Sequence, residues 1–234
     1  MLRSSLLASA SAIIGRRAVS TAAPTLSAQQ QQHPRKQIVT DVFPDVLLSP
    51  EFDKMPAPLQ QALMHHLGDH SIRISLPVQW GDMDAFNHVN NVVYFRYFET
   101  ARLAFIQALK DIGGLDPKLF DEFANAKGVG PIISEAYCRY RSPVTFPDIL
   151  TIGVKVGAEQ PDRIKMELKA VSHAQHKLAA EHHATAVMFD YRTGKKAVVS
   201  DELRQAHHKI AAWSDANLAK VAAKYAATAA AKSQ

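Results

Sequence analysis

The chain has 234 residues, of which 47% are hydrophobic and 21% are charged, a size and composition typical of one globular domain with appendages. No run of about 18 uncharged apolar residues occurs, so the sequence predicts no membrane-spanning helix. The single cysteine, Cys138, excludes an intramolecular disulfide framework and any multi-cysteine metal site.

The net charge of +5 comes entirely from the first forty residues. Residues 1–40 contain five basic residues and no acidic one, whereas the rest of the chain has 22 of each. Because the remainder is neutral, it lacks the positive field with which nucleic-acid-binding proteins attract phosphates. We therefore expect no nucleic-acid partner.

Residues 1–40 have the composition of a mitochondrial transit peptide followed by a polar linker, rich in Arg, Ser and Ala and free of acids. A secretory signal is the alternative, because the stretch from Ser4 to Gly15 is uncharged. However, Arg16-Arg17 follows where a secretory signal would have a small-residue cleavage site. We predict targeting to the mitochondrial matrix, with cleavage after Val19.

The next segment predicts a linker and a short helix. Residues 41–57, with their prolines, are typical of a linker that wraps around a domain. Leu59, Leu63 and Leu67 are spaced by four and followed by Gly68, which predicts a short amphipathic helix.

A strand follows. From Ile72 to Trp80, apolar residues alternate with polar residues or proline, which predicts a half-buried strand with Ile72, Ile74, Leu76, Val78 and Trp80 on its buried face. Pro77 indicates a sheet edge or a kink in this strand.

A long helix is predicted from Asn91 to Ile112, ended by Gly113-Gly114. Besides its main apolar stripe it carries two further apolar flanks, Phe95 with Phe98 and Leu103 with Ile106. We expect this helix to be wrapped by other elements on most sides.

The rest of the chain predicts short strands joined by short connections, then a tail. The predicted strands are Ile132–Tyr140, Ile149–Val156, Ile164–Ala170, Leu178–Tyr191 and Lys196–Val199. In the first of them Ala136 and Cys138 should face inward, and the connection from Asp116 to Val129 is expected to be a loop. Residues 201–234, rich in Ala and Lys, predict a helix with Trp213 packed back on the domain.

Consecutive short connections imply antiparallel pairing, and the buried helix must lie against one face of the sheet. The sequence therefore predicts an α+β fold in which one antiparallel sheet curls around one long central helix. We divide the chain into the targeting segment 1–40, an N-terminal extension 41–70, the domain 71–200 and the tail 201–234.

A dense run of polar residues lies between the first strand and the helix, from Gly81 to Asn91. One interpretation is structural: Asn90 would cap the helix, and Asp82 and Asp84 would be turn residues. The other is chemical: a carboxylate faces a helix start, whose free N–H groups and dipole suit a developing oxyanion. A carboxylate beside such donors is what acyl transfer requires.

Several motifs here resemble those of hotdog-fold acyl-CoA thioesterases of the 4-hydroxybenzoyl-CoA thioesterase type. The matching motifs are Trp80-Gly81-Asp82-Met83-Asp84, His88-Val89-Asn90-Asn91, Tyr94-Phe95, Glu99-Thr100-Ala101-Arg102, Tyr140-Arg141-Ser142-Pro143 and Pro147-Asp148. The resemblance implies a five- or six-stranded antiparallel sheet around the helix, in a homodimer or homotetramer with active sites between protomers. It also implies hydrolysis of acyl-CoA to the free acid and coenzyme A, without a metal or a cofactor.

Carried over by position, the resemblance implies that Asp84 is the catalytic carboxylate and that the backbone N–H of Asn91 donates to the oxyanion. It places His88 near the thioester, as a polarising or acid–base group. We further assign Asn90, Tyr94 and Trp80 to substrate binding.

Two other carboxylates in this region need assignment. For Asp82 we favour hydrogen bonds to loop N–H groups over catalysis. Glu99 and Arg102, at i and i+3, predict a surface or interface ion pair, with Glu99 the reserve catalytic candidate. Helix geometry argues against Glu99, because eight residues past Asn91 correspond to about 12 Å along the axis.

Metal binding is not expected despite eleven histidines, because they lack clustered cysteine or carboxylate partners. Cys138 is interpreted as a small core residue. The sequence thus predicts a mitochondrial acyl-CoA thioesterase. The alternative is a non-catalytic hotdog protein that binds acyl-CoA or an acyl carrier, or that serves as a subunit of a mitochondrial assembly.

Overall fold

The computed structural model describes residues 45–157 and 160–232, with side chains described up to residue 224. The predicted transit peptide and linker, residues 1–40, lie outside the described residues and stay predictions. No helix in the described ranges has the length and apolar character needed to cross a membrane.

The described chain forms six strands and five helices. The strands are β1 Ile72–Pro77, β2 Val129–Tyr140, β3 Ile149–Val156, β4 Arg163–Ser172, β5 Lys177–Asp190 and β6 Lys195–Lys196. The helices are α1 Pro50–Lys54, α2 Ala57–Leu67, α3 Val93–Asp111, α4 Pro117–Ala124 and α5 Asp201–Lys232, and single 3-10 turns occupy Val46–Leu48 and Trp80–Asp82.

The strands form one antiparallel sheet in the order β1-β3-β4-β5-β2, with β6 paired to the end of β5. Register pairs such as Ile74 with Ile152 and Met166 with Ala184 align the apolar residues of neighbouring strands. The predicted antiparallel α+β fold is confirmed, and β1 and β2 are its edge strands.

Helix α3 lies against the sheet and supplies much of the main core. Phe98 and Ala101 are fully buried, in one cluster with Ile152 and Leu168 of the sheet. The prediction that α3 is covered on most sides is wrong for one flank, because Phe95 and Leu103 are 36% and 56% exposed. Phe95 still packs edge-on against His182 of β5 at 5.4 Å, so the covering on this side of α3 is partial.

Strand β1 departs from its predicted alternation. Ile72 and Ile74 are buried as expected, but Arg73 between them is also fully buried, because the outer face of the sheet is covered too. Its guanidinium donates to Asp45 Oδ2 (2.9 Å) and to the carbonyls of Leu67 (2.7 Å) and Gly68 (2.8 Å).

The same strand ends earlier than predicted. Pro77 is the last residue of β1, which is an edge strand, as its proline indicated. Trp80, placed on the buried face by the alternation, is 75% exposed because the chain turns into a 3-10 helix there.

A second hydrophobic core covers the outer face of the sheet. It joins the 3-10 turn, α1 and α2 to β4 and to the later part of α5; its buried members are Val46, Leu47, Phe52, Leu59, Ala62, Leu63, Leu67, Val171 and Val221. The predicted short helix is thus present as α2, with its three leucines buried.

The connection before β2 contains a helix, α4, where a loop was expected. Asp116 accepts hydrogen bonds at Oδ1 from the N–H groups of Lys118 (2.9 Å) and Leu119 (3.2 Å), and Pro117 occupies the first position of the helix. Asp followed by Pro is a helix-start signal, but eight residues are too few for a clear periodicity.

Strand β2 is exposed along most of its length because it pairs only with β5. Ala136, predicted to face inward, is exposed, and Cys138 is half-buried. The alternation identified the strand correctly. The prediction that Ala136 and Cys138 are buried, however, assumed that another element packs on that face of β2, and the described residues include none that buries it.

The end of the chain agrees in part with prediction. The predicted strand Lys196–Val199 is reduced to the two residues of β6. Helix α5 is present, and within it Ile210 is fully buried and Trp213 is partly buried against the main core.

His70, in the loop before β1, is fully buried and packs directly against Gly153 of β3. A larger residue at position 153 would clash with it, because its Cβ would lie 2.8 Å from the His70 ring. His70 Nδ1 pairs with Asp69 Oδ1 at 2.9 Å. Burial lowers the pKa of His70 to about 4, against the opposing effect of Asp69. The folded protein therefore holds this side chain neutral at neutral pH.

We expect the free energy of unfolding to fall as the pH drops from 6.5 towards 4. In this window the unfolded chain protonates His70 and the folded chain does not, so the unfolded state binds more protons. The loss from this residue approaches roughly 3 kcal/mol. Chemical denaturation at pH 7 and 4.5 should show a weaker pH dependence for His70→Asn than for wild type and for the exposed control His65→Asn. Equal pH dependence in all three proteins would contradict this account.

Candidate active site

The polar run before α3 folds into a tight turn. The N–H of Asp84 donates to the carbonyl of His88 (3.1 Å), and the N–H of Asn87 donates to the carbonyl of Asp84 (3.1 Å). Asn87 has φ of 62°, a left-handed conformation that asparagine adopts more readily than most residues. The turn returns the chain so that Asp84 and the helix start lie side by side.

The Asp84 carboxylate is held by two donors. Oδ1 accepts the N–H of Phe86 (2.8 Å), and Oδ2 accepts Nδ2 of Asn90 (3.3 Å). Asp84 is therefore a turn residue, as one interpretation of the sequence had it. The side chain is only half-buried and also lines a groove, so the turn bonds fix a carboxylate that remains accessible.

The first N–H groups of the helix differ in their partners. The N–H of Val92 donates to Oδ1 of Asn90 (2.9 Å), and the N–H of Val93 donates to its carbonyl (3.0 Å). Within the described residues, the N–H of Asn91 donates to no protein acceptor. Asn90 thus accepts both bonds in the turn that leads into α3, but the N-cap residue of α3 is Val92, which has no side-chain cap, so the predicted N-cap role of Asn90 is shifted by two residues. Asn91 retains a backbone donor just before the positive end of α3.

Asp84 and Asn91 border the same groove, which has a volume of about 450 Å³. Its lining residues are Asp84, Phe86, His88, Val89, Asn90, Asn91, Tyr94, Tyr140, Arg141, Ser142 and Pro143. Five of the sequence-predicted site residues thus come together: Asp84, His88, Asn90, Asn91 and Tyr94.

His88 and Tyr94 form part of the groove wall. The ring of His88 stacks on Phe86 at 6.3 Å, and its Nδ1 lies 3.4 Å from the carbonyl of Val89. Tyr94 is buried and packs edge-on against Tyr140 at 5.2 Å. Burial raises the pKa of Tyr94, so its hydroxyl stays protonated at neutral pH.

Two predicted site residues do not line the groove. Trp80 packs edge-on against Phe146 at 5.7 Å, with most of its surface exposed. Glu99 lies exposed on α3, outside the residues that line the groove. The predicted ion pair between Glu99 and Arg102 is replaced by another contact of Arg102, whose Nη1 lies 3.1 Å from Nε2 of His182.

Asp82 has the structural role expected of it. Its Oδ2 accepts the N–H of Gln79 (2.8 Å) and the hydroxyl of Tyr97, and its carbonyl accepts the N–H of Asn90 (2.9 Å). Because Tyr97 belongs to α3 and Gln79 to the preceding segment, Asp82 ties the loop to the helix. Asp82 does not line the groove.

The sequence singled out Tyr140 to Pro143 as a matching motif but did not assign these residues to the site, where they form the second wall of the groove. Tyr140, the last residue of β2, donates its hydroxyl to the carbonyl of Asn91 (2.8 Å). Arg141 to Pro143 continue this wall. Tyr140 and Asn91 are 49 positions apart in the sequence, so no local spacing could have joined them.

Other chemistries find little support in the described part of the chain. No group of three or more His, Cys, Asp or Glu side chains there is placed to hold a metal ion. Burial raises the pKa of Cys138 to about 11, which disfavours the thiolate that a cysteine nucleophile needs.

Comparison with known proteins identifies the family of the chain. The family model of the thioesterase-like superfamily matches residues 78–207, more than half of the chain. A search of curated proteins finds no match.

Solved structures share the fold. A thioesterase from Thermus thermophilus, complexed with coenzyme A and zinc, is 20% identical with a TM-score of 0.51, over 62% of this chain and 96% of its own. A DHNA-CoA thioesterase from Staphylococcus aureus is 15% identical with a TM-score of 0.50, over 62% of this chain and 93% of its own. At these identities the likeness establishes the hotdog fold.

The chain belongs to the thioesterase-like superfamily. By class it is a thioester hydrolase, with Asp84 and the start of α3 bordering its candidate active site.

Proposed function

We propose that this protein is an acyl-CoA thioesterase that uses Asp84 and the backbone N–H of Asn91, without a metal ion. The observation that carries the proposal is that this carboxylate and this free amide border one groove. Coenzyme A is the thiol proposed because the solved structures that share the fold include a DHNA-CoA thioesterase and a thioesterase complexed with coenzyme A.

In this mechanism the thioester carbonyl lies at the start of α3, where its oxygen accepts the Asn91 N–H. As negative charge develops on that oxygen, the fixed amide and the helix dipole stabilise it. Asp84 supplies the electron pair, either directly to the carbonyl carbon or by deprotonating an attacking water. The C–S bond then breaks. After direct attack this leaves an anhydride between the acyl group and Asp84, which water hydrolyses; after attack by water it leaves the free acid. In both cases the leaving thiolate takes up a proton, so that thioester and water yield a free acid and the coenzyme A thiol.

The remaining groove residues support this step. Asn90 donates to Asp84 and thereby orients its carboxylate, while His88 lies at the groove as a polarising or acid–base group. Thiolates are good leaving groups, so no strong general acid is required. The fixed N–H donor takes the part that a Lewis acid would have in a metal-dependent mechanism.

The first test is substitution of Asp84. In a hydrolysis screen over short, medium, long and aromatic acyl-CoAs, we expect Asp84→Asn to lower kcat about 100-fold or more with little change in Tm. Glu99→Gln is the matched control, because it neutralises an exposed carboxylate on the adjoining helix; it should retain near-wild-type activity. Full activity of Asp84→Asn, or inactivity of Glu99→Gln alone, would refute the assignment. Tight acyl-CoA binding without turnover by wild type would instead favour the non-catalytic alternative.

We also propose that the protein is a homo-oligomer, a dimer or a tetramer, assembled through β2 and the open flank of α3. An edge strand with unpaired backbone groups is a template for pairing with another chain. The apolar residues exposed along this region are Phe95, Leu103, Ile132, Ile133, Tyr137 and Tyr140. Contiguous exposed apolar surface of this kind marks an association site, and it adjoins the groove through Tyr140.

Light scattering coupled to size-exclusion chromatography tests this assembly. We expect the wild type to elute as an oligomer and Leu103→Asp to be monomeric, because a charge would be buried at the interface. Val198→Asp is the control, since Val198 is 67% exposed on a different segment. This substitution should leave the measured molar mass of the oligomer unchanged. An oligomeric Leu103→Asp variant would place the interface elsewhere.

Finally, we propose that the protein acts in the mitochondrial matrix, on the strength of the basic, acid-free residues 1–40. Protein isolated from its native cells should begin after Val19 when its N-terminus is sequenced, and a tagged chain lacking residues 1–40 should fail to enter mitochondria. An intact Leu2 in the isolated protein would argue against this localisation.

A further inference from the structure

The peptide bond between Asn91 and Val92 is held at both ends. Its N–H, which belongs to Val92, donates to Oδ1 of Asn90 (2.9 Å). Its carbonyl, which belongs to Asn91, accepts the hydroxyl of Tyr140 (2.8 Å). The first of these bonds is local, whereas the second comes from the far side of the groove.

We propose that Tyr140 is a positioning residue for the oxyanion donor: its bond to the Asn91 carbonyl restrains the backbone torsion angles of Asn91 and thereby the direction of that residue's N–H. The inference rests on the proposed function. It goes further by assigning a role to an edge-strand side chain that makes no contact with the reacting atoms in the proposed mechanism.

The geometry suits a fixed anchor. The ring of Tyr140 packs edge-on against buried Tyr94 at 5.2 Å, which restricts its rotation. The next residue, Arg141, donates its backbone N–H to the carbonyl of Ala179 (2.8 Å) and its Nε–H to Oε2 of Glu181 (2.7 Å), so the strand end is tied to β5. Partial burial raises the pKa of Tyr140, so its hydroxyl stays protonated and can donate.

The bond matters because Asn91 precedes the regular turns of α3, which begins at Val93. Residues before the helix lack its repeating hydrogen bonds, and their backbone can rotate unless other groups hold it. Without Tyr140, only Asn90 would hold the Asn91–Val92 peptide. The Asn91 N–H lies in the preceding peptide, which is joined to this one through the Asn91 Cα. A less restrained Asn91–Val92 peptide loosens the torsion angles of Asn91 and lets its N–H turn away from the oxyanion, which costs transition-state stabilisation but little ground-state binding.

Steady-state kinetics of Tyr140→Phe provide the first test, since this variant keeps the ring against Tyr94 and removes only the hydroxyl. We expect kcat to fall about tenfold with KM within about twofold and Tm nearly unchanged. Tyr137→Phe is the matched control on the same strand: the Tyr137 ring stacks on His183, it does not line the groove, and its loss of hydroxyl should leave kcat unchanged.

Amide hydrogen exchange provides a readout that does not depend on activity. In ¹⁵N-labelled protein, the Val92 amide should exchange about tenfold faster in Tyr140→Phe than in wild type, because the peptide is held at one end only. The same amide in Tyr137→Phe should exchange at the wild-type rate.

The outcomes separate this inference from the proposed function. Faster Val92 exchange together with a kcat loss at constant KM supports the positioning role. Unchanged kcat in Tyr140→Phe, or unchanged Val92 exchange, overturns it even if the wild type hydrolyses acyl-CoA. A wild type that hydrolyses no thioester refutes the proposed function, and with it the role of Tyr140 in catalysis, whatever the exchange rates show.

Discussion

The first turn of helix α3 is the constraint on which the candidate site depends. A helix start exposes backbone N–H groups that need acceptors, and Asn90 satisfies those of Val92 and Val93. The Asn91 amide is left over, and the same Asn90 side chain donates to Asp84. One asparagine thus satisfies the amides on either side of the helix start and holds the Asp84 carboxylate at the groove, so the turn that leads into α3 also builds the polar half of the candidate site.

The body of α3 explains why this site lies at the edge of the fold. The sheet covers the helix around Phe98 and Ala101 but leaves the flank of Phe95 and Leu103 open. Strand β2 borders that flank, pairs with one neighbour only, and ends at Tyr140 in the groove wall. The proposed catalytic turn and the proposed interface are therefore connected through one strand, and pairing of β2 with a partner would steady the residue that holds Asn91.

The outer face of the sheet is covered by a second hydrophobic core. Arg73 occupies an outward position of β1, yet it is fully buried because α1, α2 and the end of α5 pack over that face. A buried guanidinium is tolerated only when its donors are satisfied, and Asp45, Leu67 and Gly68 accept them. The described part of the N-terminal extension is consequently a packed part of the folded unit, joined to the tail helix through Val221.

The sequence by itself determined the elements with clear periodicity, which are α2, α3 and the alternating strands, and the Ala- and Lys-rich composition of the tail indicated α5. It also determined the polar turn, because Asp84, Asn90 and Asn91 lie within eight positions and local hydrogen bonds bring them together. Tertiary structure alone decided which strand faces are covered, which is why Arg73 is buried while Ala136 and Trp80 are exposed. It also decided that the Tyr140 hydroxyl binds the Asn91 carbonyl and that the Arg102 guanidinium contacts His182. The physical reason is that local periodicity reports how a side chain is oriented on its own element, whereas burial and long-range hydrogen bonds depend on what packs against it.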